Sequence, residues 1–193
     1  MDTIVEEKSM SRFCVFLGSR EGHAPQHLAH ARRLGDALAA RGHTLVYGGA
    51  RIGMMGAMAD AALAAGGKVV GVMPDHLVER EQAHHGLTEL IRVRNMHERK
   101  ASMATHADAF IMLPGGIGTL EEFFEAWTWH YLGLHDKPIG VLDSEGFYAP
   151  LLSFLDNTVE QGFLDARTRG ELLDAADPLD LLDGLEARLA RLR

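Results

Sequence analysis

One cysteine, Cys14, in a chain of 193 residues rules out an internal disulfide, and its apolar surroundings read as those of a small buried hydrophobe. No segment approaches the ~20 consecutive apolar residues of a membrane-spanning helix. Met1 to Ser11 is polar and acidic and lacks the apolar core of a signal peptide. Positive charge is also scarce, with 19 Lys and Arg against 27 Asp and Glu and a formal net charge of −8. The basic residues gather only around Arg92, Arg94, Arg99 and Lys100, which argues against a nucleic-acid surface. There is no internal repeat and no low-complexity linker. What remains, 47% hydrophobic and 24% charged residues, is the composition of a soluble globular protein. The expectation is a cytoplasmic chain with a flexible tail over residues 1–11 and one domain over 12–193.

Strand-like and helix-like patterns alternate along that domain. Arg12 to Leu17 reads as a short strand, and Ala24 to Ala40 repeats apolar residues at helical spacing up to Gly42. Strands are expected at Thr44–Tyr47, Lys68–Met73, Glu89–Val93, Ala109–Leu113 and Ile139–Leu142. Helices are expected at Gly53–Ala65, Met96–Ala107, Phe123–Leu132, Tyr148–Gln161 and Pro178–Leu192, with an irregular, charged stretch from Pro74 to Leu87. Such alternation implies an α/β fold, Rossmann-like and doubly wound, with a mainly parallel sheet covered by helices on both faces. Ligands of these sheets bind beyond the carboxyl ends of the strands, near the point where strand order reverses. Gly18-Ser19, Gly48-Gly49 and Gly115-Gly116 each follow a strand, so all three turns should meet on that edge.

The richest of these turns is Pro114-Gly115-Gly116-Ile117-Gly118-Thr119-Leu120-Glu121-Glu122. Glycines between a strand and a helix let backbone N–H groups converge on one point beside the helix N-terminus, a natural phosphate site. The loop is neither a dinucleotide fingerprint, since Glu121 stands where a third glycine belongs, nor a Walker A loop. Two plainer readings stay open at this point. The segment could be only a tight turn, and Thr119 with Glu122 fits a capping box that would use the carboxylate without any chemistry.

A second motif, Met96-His97-Glu98-Arg99-Lys100, changes the balance. With Pro114 to Glu122 it resembles the signature of the Lonely Guy (LOG) family, M-H-x-R-K followed by P-G-G-x-G-T-x-x-E. Gly18-Ser19, the turn Gly49…Gly53-Met54-Met55-Gly56 and Lys137-Pro138 extend the resemblance over roughly Phe13 to Phe163. Ala50 departs from the third glycine usual in the Gly48-Gly49 turn. Family members are cytokinin riboside 5′-monophosphate phosphoribohydrolases, long mislabelled as lysine decarboxylases. The resemblance implies Arg99 and Glu122 as the catalytic pair and Gly116, Gly118 and Thr119 as the phosphate loop. It places Lys100, Glu81 and Thr128 at substrate-contacting positions. Gly18, Ser19, Gly49, Met96, Gly115, Ile117, Leu120 and Glu121 complete the substrate-binding set drawn from the matching motifs.

The implied chemistry is physically coherent. Departure of a purine leaves an oxocarbenium-like ribose, which a carboxylate stabilises while it positions water. Arg99, always protonated, would orient phosphate, ribose or the leaving base rather than act as an acid, and its plainer reading is an ion pair with Glu98 or Glu122. The expected partner is a nucleoside 5′-monophosphate, with AMP cleavage without a hormone role, or nucleotide or cofactor carriage without cleavage, as alternatives. No cofactor is expected, and nothing in the sequence resembles a pyridoxal-phosphate site. No metal is expected either: His23, His27 and His30 share a helix face and His84-His85 are adjacent, but no closed ligand set appears among the 11 histidines. The aromatic run Phe123, Phe124, Trp127, Trp129 and Tyr131 covers more than one helix face, which together with the family resemblance suggests a homodimer.

Overall fold

The computed structural model describes residues 10–78 and 82–193. Among these residues seven strands and seven helices follow one another, alternating except where β4 follows β3 and α6 follows α5: β1 (Arg12–Phe16), α1 (Pro25–Ala40), β2 (Thr44–Tyr47), α2 (Gly53–Ala64), β3 (Lys68–Pro74), β4 (Glu89–Val93), α3 (Met96–Thr105), β5 (Ala109–Met112), α4 (Ile117–Tyr131), β6 (Ile139–Leu142), α5 (Ala149–Glu160), α6 (Ala166–Glu171), β7 (Leu172–Ala175) and α7 (Pro178–Leu192). Single 3₁₀ turns lie at Asp75–Leu77 and Ser144–Gly146. All seven strands form one parallel sheet in the order β4-β3-β2-β1-β5-β6-β7.

The chain therefore winds outward from β1 in one direction, then crosses over and winds outward from β5 in the other. The reversal falls between β1 and β5, whose register pairs Phe13 with Ala109 and Phe16 with Met112. Buried strands in such a sheet show apolar residues on both faces, and β1 does: Phe13 and Val15 join one core while Cys14 and Phe16 join the other. On the first face pack α1, α2 and α7, through Leu34, Leu38, Met58, Leu182 and Leu185. On the second pack α3, α4 and α5, through Met103, Phe123, Trp127, Leu152 and Leu155. Gly35 lets α1 lie directly on α2, since a Cβ there would meet Met58 O at 2.3 Å.

Three expectations need correction. First, α4 begins at Ile117, not Phe123, so the end of the glycine loop is already helix. Second, α6 and β7 were not expected. β7 has only four residues, Leu-Leu-Asp-Ala, at a sheet edge, and of these only Leu172 is buried, too little to give a periodic signal. Third, Ser11 belongs to the fold: it is buried, its N–H donates to His43 Nδ1 and its carbonyl accepts from Thr44 N–H. The remainder of the expected tail, residues 1–9, lies outside the described residues. No helix among the described residues is long and apolar enough to cross a membrane.

Candidate active site

The glycine loop is built by two strands that share it. Leu113 N–H donates to Phe16 O and Gly18 N–H to Pro114 O at 3.1 Å, so the turns after β1 and β5 are zipped together at the crossover. Tyr148, at the start of α5, donates its hydroxyl to Leu113 O at 2.8 Å and fixes the strand end just before the loop. Helix α4 then starts with Gly116 as its N-cap, and no side chain caps it. A helix whose first N–H groups lack side-chain acceptors presents them, with the positive end of its dipole, to whatever anion sits in front.

The capping-box reading fails on this geometry. A capping box needs its threonine at the N-cap, whereas Thr119 is the third residue of the helix and Glu122 the sixth. Thr119 is buried and packs under the loop: a Cβ on Gly115 would lie 2.1 Å from Thr119 Oγ1. Glu122 points into the protein, where its Oε1 lies 4.0 Å from Arg99 Nη1, with the two side chains only 10% and 5% exposed.

Arg99 reaches this point from the fourth position of α3. Asn95 caps α3 by accepting from Glu98 N–H, and Glu98 in return accepts from Arg94 N–H and pairs with the Arg94 guanidinium. The bond to Arg94 holds the Glu98 carboxyl below its usual range, and Glu98 is therefore committed away from Arg99. The Arg99 fork is fastened by two backbone carbonyls: Nε donates to Val72 O in β3 and Nη2 to Gly48 O after β2, both at 3.1 Å. Glycine at 48 is what admits the guanidinium, since a Cβ there would stand 2.2 Å from Nη2. Nη1 faces Met96 Sδ at 3.8 Å and Glu122. The pair is thus buried and preorganised, unlike a surface ion pair. Behind it, Cys14 has its thiol pushed well up, by burial first and by the Glu122 carboxylate second, and is inert.

Around these groups opens a cavity of about 890 Å³. Leu17, Met54, Met55, Leu77, Met96, Ile117 and Phe147 give it apolar walls, and Ser19, Arg20, His23, His27, Arg99, Thr119, Glu121 and Glu122 supply its polar groups. Gly53 brings the start of α2 against the Ser19 turn, where a Cβ would meet Ser19 O at 2.2 Å. Of the residues expected from sequence, Gly18, Ser19, Met96, Arg99, Gly115, Gly116, Ile117, Gly118, Thr119, Glu121 and Glu122 line this space.

Four do not. Lys100 turns away and donates to Glu121 Oε1 at 2.5 Å and Glu125 Oε1 at 3.1 Å, bonds that raise its pKa, with Glu121 the larger cause. Leu120 packs toward the core on the α4 face, and Thr128 is exposed farther down that helix. Gly49 takes the left-handed φ of +84° needed by the turn and sits under Leu90. Glu81 lies outside the described residues. Sequence reasoning in turn missed Arg20, His27, Leu77 and Phe147 as cavity residues. Phe147 and Leu77 carry no local signal, because only the fold brings their turns over the sheet edge. Of the three histidines expected on one helix face, His27 and His30 lie on α1 while His23 precedes it; among the described residues, no three His, Cys, Asp or Glu side chains group as a metal site.

Comparison with known proteins agrees with the motif reading. The family model described as "Possible lysine decarboxylase" matches residues 55–185. A Rhodococcoides fascians protein named cytokinin riboside 5′-monophosphate phosphoribohydrolase is 48% identical over 171 residues, 88% of this chain and 85% of that one. The Arabidopsis thaliana protein named cytokinin riboside 5′-monophosphate phosphoribohydrolase LOG1 is 45% identical over 185 residues, 96% of this chain and 87% of its own length. Among solved structures, the molybdenum cofactor carrier protein of Chlamydomonas reinhardtii shares the fold, with a TM-score of 0.72 at 21% identity, covering 94% of this chain and 99% of that one. Sequence identity of this extent, joined to both motifs at one cavity, places the chain in the Lonely Guy family.

Proposed function

We propose that the protein hydrolyses the N-glycosidic bond of cytokinin riboside 5′-monophosphates, and of AMP, to free base and ribose 5-phosphate. The observation that carries this reading is the buried Arg99–Glu122 pair set one helical turn from an uncapped helix N-terminus. Phosphate at Gly115 to Thr119 anchors the nucleotide, and Glu122 faces the positive charge that develops on the ribose as the base departs. Arg99, held by Val72 and Gly48, keeps that carboxylate in place and offers an N–H to ribose or base. The activity for which the relatives are named and the fit of these groups to N-glycoside cleavage support the same conclusion. A decarboxylase built on a Schiff base needs a lysine in its site, and no lysine lines this cavity among the described residues. The direct test is incubation with AMP and with isopentenyladenosine monophosphate, each assayed for free base and ribose 5-phosphate; no release from either sinks the proposal.

The 5′-phosphate should be essential, because its binding energy holds the ribose for attack. We expect kcat/KM for the monophosphate to exceed that for the nucleoside by on the order of 10²-fold or more. Equal values would remove the phosphate site from the mechanism.

The protein is also proposed to form a homodimer through the outer face of α4. Phe123 and Trp127 turn into the core of the same chain, while Tyr131, at the end of the helix, and Leu132 and Leu134 just beyond it remain 60–69% exposed. Light scattering at micromolar concentration should give twice the 21.1 kDa chain mass; a monomer mass would refute the dimer.

A further inference from the structure

On the far side of the phosphate loop lies a group that the reaction as described does not use. Ser144 Oγ is fully buried and lies 3.0 Å from His27 Nδ1 and 2.9 Å from His30 Nδ1. His27 stands in the first turn of α1, lines the cavity, and is held edge-on against Phe147 with ring centroids 5.6 Å apart. A hydroxyl has a single hydrogen and two lone pairs, so Ser144 donates to at most one of the imidazoles and accepts from the other or from both. Where a neutral His27 receives at Nδ1 it carries its proton on Nε2; where its Nδ1 donates to Ser144, Nε2 is an acceptor. A ligand touching Nε2 selects between the two, and an anion selects the donor.

Strand order gives the position of this group relative to the glycine loop. Arg99 is fastened to Gly48 and Val72, at the ends of β2 and β3, and Glu122 leans toward it. Ser144 follows β6, at the other side of the glycine loop that follows β5. With strands roughly 4.8 Å apart, the phosphate loop lies between the Arg99–Glu122 pair and the His27 group. A ribose extending from the phosphate toward Glu122 leaves His27 on the phosphate's opposite flank.

We infer that His27 is a phosphate-binding residue, donating from Nε2 to the substrate's 5′-phosphate with its tautomer set by Ser144 and His30. This rests on the phosphoribohydrolase reading above and adds a side-chain donor to a nest otherwise made of backbone. Two substitutions separate the donor from the packing. Asparagine places a polar atom near the position of Nδ1 and keeps the Ser144 contact without reaching the phosphate; glutamine reaches the position of Nε2. His27→Asn is expected to weaken ribose 5-phosphate binding by about 10-fold or more in calorimetry, as for loss of a hydrogen bond to a charged group. It should raise KM for the nucleoside monophosphate in parallel, by a larger factor than it lowers kcat. His27→Gln should bind ribose 5-phosphate within about threefold of the unsubstituted protein. Unaltered binding in His27→Asn, or equal impairment of both variants, overturns the assignment. Failure of the unsubstituted protein to bind ribose 5-phosphate would instead refute the phosphate nest itself, and this inference with it.

Discussion

Glu122→Gln is expected to lower kcat by on the order of 10²-fold or more while leaving the fold intact. Glutamine has the shape of glutamate and keeps an acceptor oxygen for Arg99, so the packing at the base of α4 is preserved. The negative charge is lost, and with it the field that favours an oxocarbenium-like ribose over the ground-state sugar. Since Glu122 is the sixth residue of its helix and no part of the N-cap, the change should cost no helix stability. Ribose 5-phosphate should bind as well as before or better, because a carboxylate near a dianion has been neutralised. Melting temperature, ribose 5-phosphate affinity and kcat measured on the one variant decide the matter. Undiminished turnover would falsify the hydrolase mechanism at its central residue.

Arg99→Lys is expected to damage both activity and stability, although the charge is conserved. Lysine has a single ammonium at the end of a flexible chain, whereas Arg99 donates at once to Val72 O and Gly48 O and still faces Glu122. Leaving one buried carbonyl without its donor costs about 1–3 kcal/mol, which for a chain of this size lowers Tm by roughly 2–12 °C. Turnover should fall on the order of 10²-fold, since Glu122 then loses the partner that fixes its position. Wild-type Tm together with wild-type kcat in this variant would show that only the charge matters and that the fork anchors nothing.

The contrast between these two variants reflects what a linear sequence discloses. The glycine loop was readable because a backbone that must converge on an anion demands glycine locally. The parallel sheet was readable because both faces of its strands are apolar. The burial of Arg99 was not, because it depends on Gly48 and Val72, residues 51 and 27 positions away. The motif put Arg99 and Glu122 in the same site, but it could not show that a glycine at 48 is the slot for the guanidinium. Thr119 and Glu122 had the spacing of a cap, and only the start of α4 at Ile117 shows that neither residue caps it. Lys100 stands beside Arg99 in the motif, yet neighbours on a helix are about 100° apart, which turns its side chain toward Glu121 and Glu125 instead of the cavity. His27 and Ser144 are 117 residues apart and met only when β6 came to lie beside β5.

The placement of the aromatic residues gives this protein a built-in optical reporter. Its two tryptophans, Trp127 and Trp129, both lie on α4, the helix that begins at the phosphate loop and carries Glu122. Trp127 is buried against Phe123 and Phe124, and its indole N–H has no acceptor among the described residues. Tryptophan fluorescence therefore comes from α4 alone, with one emitter in an apolar setting and one nearer the surface. Occupancy of the helix N-terminus and loosening of its packing are both readable at the emission maximum without any label.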